Sequence, residues 1–81
     1  MSERLKYQGR LAEAEQAERR LKMRMDGLVR SLRDLLDPTE DVARLDADQI
    51  ADQAMQLAAA AGDLRARTAE IAKIRDVLGR A

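Results

Sequence analysis

The sequence predicts an all-α fold, an antiparallel, coiled-coil-like two-helix hairpin that pairs with a second hairpin into a four-helix bundle. Three observations predict it. Leu and Ile recur at heptad spacing in both halves of the chain. The only proline, Pro38, stands close to the middle. The stretches on either side of it match in length, so a chain folded back on itself leaves no loose end. At roughly 33 residues each, rising ~1.5 Å per residue, both are rods near 50 Å long. The expected organisation is a single domain over residues 1–81: a helix over about 2–36, a bend with a short helical turn over 37–45, and a helix over about 46–79.

The composition agrees with helices. Ala, Leu, Arg, Glu and Gln dominate, and all are strong helix formers. β-branched residues are too few to build a sheet. The 81 residues contain no Cys, His, Trp or Phe, and Tyr7 is the only aromatic. Disulfides and thiolate metal sites are therefore excluded. A domain this small, without such staples, depends on close helix packing or on oligomerisation.

The first helix carries the seam Leu11, Leu21, Met25, Leu28, Leu32 and Leu35, with Tyr7 and Ala14 continuing the register backward and Glu18 interrupting it. The residue before a proline is disfavoured from helix, so this helix should end near Leu36. Asp37 then reads as an N-cap for a short turn over 38–43, with Glu40 completing a capping box. Asp46 is the N-cap of the second helix, with Gln49 at the third helical position. Leu45 and Ile50 flank this cap at the spacing of a hydrophobic staple. Gly79 is the expected terminator.

The second helix shows one column without error, Ile50, Leu57, Leu64, Ile71 and Leu78. The companion column is expected at Ala47, Ala54, Ala61, Thr68 and Arg75, which makes a seam of alternating large and small side chains. With Leu32 set against Ile50, Met25 meets Leu57, Leu28 meets Ala54 and Leu21 meets Ala61. Further along, Glu18 meets Leu64, Ala14 meets Thr68, Leu11 meets Ile71 and Tyr7 meets Arg75. Glu15 is then placed to pair with Arg65. Gly62, beside Ala58–Ala61, marks a point where the helices could approach closely.

The apolar face is wider than a two-stranded seam uses. Ala51, Ala58 and Ala72 lie on one flank of the second helix, Ala60 and Ile74 on the other. Val29 and Leu36 lie beside the stripe of the first. Two hairpins related by a two-fold axis would bury these flanks. The expected partner is thus a second copy, with a dimer favoured, or another helical protein.

Fifteen basic and fifteen acidic residues give zero net charge. Residues 1–36 hold nine basic and six acidic groups and the remainder the reverse, so the two helices complement each other electrostatically. The balance argues against a general nucleic-acid binder, which carries a basic surplus. The alternative to a protein–protein role is nucleic-acid contact through Arg19, Arg20, Lys22 and Arg24. The bland reading of these four is a solvated helix face, since stacking aromatics and helix-turn-helix spacing are missing.

The acidic residues around the bend, Asp37, Glu40, Asp41, Asp46, Asp48 and Asp52, do not follow the spacing of a calcium-binding loop. Capping accounts for Asp37, Glu40 and Asp46. Ser and Thr have no His to activate them, and no glycine-rich phosphate loop occurs. Neither catalysis nor a cofactor is expected. The start of the chain has no apolar h-region and no stretch approaches a membrane span, so a cytoplasmic location is expected.

LKYQGRLAEAE at the start, LLDPTEDVARLD at the bend and the Ala-rich second helix together resemble the small two-helix accessory proteins of Mu-like prophages. The resemblance covers most of the chain. It implies a bacterial or phage origin and an accessory role, with no functional residue to carry over.

Overall fold

In the computed structural model, which describes residues 2–80, the chain is an antiparallel hairpin of two long helices without strands among the described residues. Helix α1 spans Glu3–Leu35 and α2 spans Ala47–Arg80, 33 and 34 residues respectively. Folded together they make a flat rod of 61 × 17 × 14 Å. Among the described residues, no helix is long and apolar enough to cross a membrane.

The helix ends follow from local chemistry. Ser2 caps α1, its hydroxyl accepting from the Arg4 N–H at 3.2 Å. At the other end the Leu36 N–H still reaches the Leu32 carbonyl at 2.9 Å, but Leu36 has left helical geometry (φ −98°, ψ 34°), two residues before Pro38. The Asp46 carboxylate accepts from the Gln49 N–H at 3.1 Å and caps α2 as the sequence predicts.

Two boundaries differ from expectation. The short helical turn is a 3-10 turn at Val42–Arg44, and its cap is Asp41, whose carboxylate accepts from the Ala43 N–H at 3.0 Å. Asp37 caps no helix. Its carboxylate takes the N–H and hydroxyl of Thr39 at 2.9 and 2.8 Å, which closes a local turn in place of a helix start. Gly79 does not terminate α2 either. The helix continues through it to Arg80, and no described glycine has a positive φ.

The α1 seam is the expected one, with Leu11, Leu21, Met25, Leu28, Leu32 and Leu35 half-buried and Ala14 fully buried. The companion column of α2 is not. Ile50, Leu57, Leu64, Ile71 and Leu78 do face α1, but the residues packed beside them are Gln53, Ala60 and Ile74, with Arg67 of the same column exposed. Ala60 and Ile74, expected on a flank, are buried core residues, and Ile71 completes the buried set. Ala47, Ala54, Thr68 and Arg75 are exposed, and Ala61 is half-buried. Ala54 and Ala61 thus form the edge of the interface and not its second row. Each large residue of a heptad column can take its partner row either three or four residues away. Here the row three residues away holds Ile74, a far larger apolar group than anything in the alanine row, and its burial decides the rotation.

Two side-chain pairs differ from the expected ones, while the Arg4 guanidinium donates to the Leu78 carbonyl at 3.4 Å, at the expected spacing. Glu18 meets Thr68, whose hydroxyl donates to its carboxylate at 3.4 Å, one turn beyond the expected Leu64. Glu15 pairs with Arg75 at 3.8 Å instead of Arg65. Gly62 marks no close helix approach: a Cβ there would meet only the Arg65 guanidinium, at 3.8 Å.

Candidate interaction surfaces

Two helices side by side leave two broad faces, and the cross-helix contacts identify which residues lie on each. On one face the Arg24 guanidinium donates to the Gln56 side-chain oxygen at 3.1 Å. Seven-residue steps keep a residue on the same side of a packed helix. Arg24 therefore shares its edge with Ala17 and Arg10, and Gln56 shares its edge with Asp63, Glu70 and Val77. These residues line a shallow groove open to solvent. One part lies between Ala17, Arg20, Leu21 and Arg24 of α1 and Asp63, Ala66, Arg67 and Glu70 of α2. It continues to Tyr7, Arg10 and Glu13 beside Lys73, Ile74 and Val77. The Arg10 guanidinium sits 5.6 Å from the centre of the Tyr7 ring, and Arg67 is paired with Glu70 at 3.0 Å. Arginines and carboxylates alternate along this groove, so its field has no single sign.

The four basic residues considered for nucleic-acid contact are divided by this geometry. Arg20 and Arg24, one turn apart, line the groove. Lys22 is seven residues after Glu15 and belongs to the opposite face, where it pairs with Glu18 at 3.6 Å. Arg19 is a 100° step around the helix from Arg20 and also points away from the groove. The four do not make one basic patch.

The opposite face is marked by the Glu15–Arg75 pair and the Thr68–Glu18 hydrogen bond. From Glu15, heptad steps toward the bend pass through Lys22, Val29 and Leu36. From Arg75 they pass through Thr68, Ala61, Ala54 and Ala47. Both edges change from charged at the open end to apolar at the bend. Exposed Ala51 and Ala58 widen the apolar part on α2, and Leu36 is 51 % exposed. This half-face is a run of apolar surface that the seam leaves uncovered, and its pattern is visible in the sequence once the rotation of α2 is known.

Four of the six acidic residues of the bend are occupied by local hydrogen bonds. Asp37 holds Thr39, Asp41 and Asp46 cap the following turn and helix, and Asp52 accepts from the Gln56 amide at 2.9 Å. The backbone and hydroxyl bonds from Thr39 keep the Asp37 carboxyl below the ordinary aspartate range. Among the described residues, no three acidic groups converge as a metal site would need.

Inside the seam, among the described residues, one buried side-chain polar atom has no partner. Gln53 stands in the companion column of α2, and its Oε1 is buried without a hydrogen bond. No protein-family model, no curated protein and no solved structure matches the chain.

Proposed function

We propose that the chain is a non-catalytic protein–protein interaction module that associates with a second copy of itself into a four-helix bundle. It would act in the cytoplasm, in an accessory role such as its resemblance to two-helix proteins of Mu-like prophages implies. The observation that carries the reading is the surface left open. The chain exposes 6228 Å² for a mass of 9.1 kDa. A compact monomer of that mass exposes about 4,900 Å². The difference, roughly 1,300 Å², exceeds the ~800 Å² that each partner contributes to a standard stable interface. Buried residues are correspondingly sparse: among the described residues they are Ala14, Ala60, Ile71 and Ile74.

Nucleic-acid contact finds no comparable support, because Arg20 and Arg24 share their groove with Asp63 and Glu70 and are separated from Arg19 and Lys22. Sedimentation equilibrium over the micromolar range tests the proposal. Twice the chain mass is expected. A monomer that keeps its full helical circular dichroism at every concentration would remove it.

A further inference from the structure

We infer that the second copy docks on the face that carries Val29, Leu36, Ala54 and Ala58, with the two-fold axis parallel to the rods, so that the bends of both copies lie at the same end. This rests on the proposed self-association and adds which face is used and in what orientation.

The face is chosen by its chemistry. The groove face carries Arg20, Arg24, Asp63 and Glu70 along its length. Toward the bend the two inner edges of the opposite face are apolar, with Asp26 and Arg33 on its outer α1 rim, while Lys22 lies near the middle and Glu15 and Arg75 toward the open end.

The orientation follows from how that apolar half can be covered. A two-fold axis crossing the middle of the rod would set the apolar half of one copy on the charged half of the other, leaving Glu15 and Arg75 against alanines. Shifting a crosswise axis toward the bend would match the apolar halves but overlap only half of each rod. The full footprint of 61 × 17 Å is about 1,000 Å², enough for a standard interface, and half of it is not. An axis along the rod is the arrangement that sets apolar half on apolar half while the full length overlaps.

It also matches shapes. Rotation about that axis places α1 of each copy over α2 of the other, antiparallel and at equal height. The large groups of this face, Val29 and Leu36, are on α1, and the small ones, Ala47, Ala51, Ala54 and Ala58, are on α2. Each large side chain then lies over the small row of the second copy. At the open end Glu15 of one copy comes level with Arg75 of the other, so the charges that pair within a hairpin can also pair between hairpins.

The test uses the cysteine-free chain. Glu40→Cys at the bend carries one nitroxide label per chain, and pulsed electron paramagnetic resonance measures the distance between the two labels in the dimer. The expected separation is close to the 17 Å width of the rod. A separation of about half the 61 Å length, as the shifted crosswise axis gives, or more would overturn the orientation while leaving self-association intact. Light scattering on two further variants tests the face. Ala58→Arg, on an exposed position, should halve the mass while circular dichroism stays helical. Arg20→Glu on the groove face should leave the mass unchanged. The reverse pattern would overturn the choice of face. A wild-type chain that is monomeric would overturn both this inference and the proposed self-association.

Discussion

The Thr68 hydroxyl donates to the Glu18 carboxylate across the seam, 50 residues away in the chain, at 3.4 Å. Glu18 is the one charged interruption of the α1 heptads, and the pair shows how the hairpin accommodates it. The carboxylate turns toward the edge, where it also meets Lys22, and leaves the core to Ile71 and Ile74 of α2. Polar contacts of this partly exposed kind contribute ~0–1 kcal/mol each, whereas a buried aliphatic side chain contributes more. Urea unfolding followed by circular dichroism should therefore separate the two. Glu18→Ala is expected to cost less than 1 kcal/mol on this scale, and Ile71→Ala about 2–5 kcal/mol. Ile71 is 4 % exposed, so the loss leaves a cavity. Equal costs would contradict the assignment of the core.

The buried, unpartnered Oε1 of Gln53 marks a site where the sequence is less stable than the fold allows. A buried acceptor without a donor costs about 1–3 kcal/mol. Gln53→Leu, similar in volume, should raise stability by about 1–2 kcal/mol. A polar residue in a seam also holds the helices in one register. The variant is accordingly expected to melt higher but to show broader interhelical distances. A lower melting temperature would mean that Gln53 is paired in the assembled protein.

Gly27 lies inside α1, and a Cβ built there meets nothing within 4 Å. Glycine in a helix interior costs roughly 1 kcal/mol relative to alanine. Gly27→Ala is expected to stabilise the chain by about that amount in thermal unfolding. A loss of stability would place another surface against this position.

Asp37 supplies a pH dependence with a definite sign. Its folded-state carboxyl is held below the ordinary value, chiefly by the Thr39 N–H and then by the Thr39 hydroxyl. The stabilisation is therefore fully present above the unfolded pKa and is lost as pH falls through the lower folded one. Carboxyl-carbon NMR should find Asp37 titrating below an ordinary aspartate. Thr39→Ala should move it upward toward that range. An Asp37 that titrates with ordinary aspartates would contradict the turn geometry.

Much of this architecture is legible in the residues. The break before Pro38, the Asp46 cap, the α1 seam and the Ile50–Leu78 column all rest on strong local signals, a proline, a capping side chain and bulky residues at fixed spacing. The second row of α2 is not legible in the same way. Alanines at 54 and 61 made one side of the Ile/Leu column apolar, while the row that packs contains Gln53 and Arg67. An alanine-rich helix is apolar in several directions, and only tertiary burial of Ile74 breaks the tie. The bend offered the same ambiguity on a smaller scale, since Asp37 and Asp41 are both competent caps and the hydroxyl of Thr39 claims the first. For the interaction surface, the residues were visible but their grouping was not. Whether Ala54 faces inward or outward depends on a rotation of α2 that heptad counting leaves open by one position.

On the proposed self-association, one hairpin leaves its fold incomplete and a second copy completes it. Thermal unfolding over a hundredfold range of protein concentration tests this most directly. Coupled association and folding raises stability by about 1.4 kcal/mol for each tenfold increase in concentration. The midpoint is expected to climb steadily with concentration. A midpoint that stays constant across the range, with full helical signal at the lowest concentration, would contradict it.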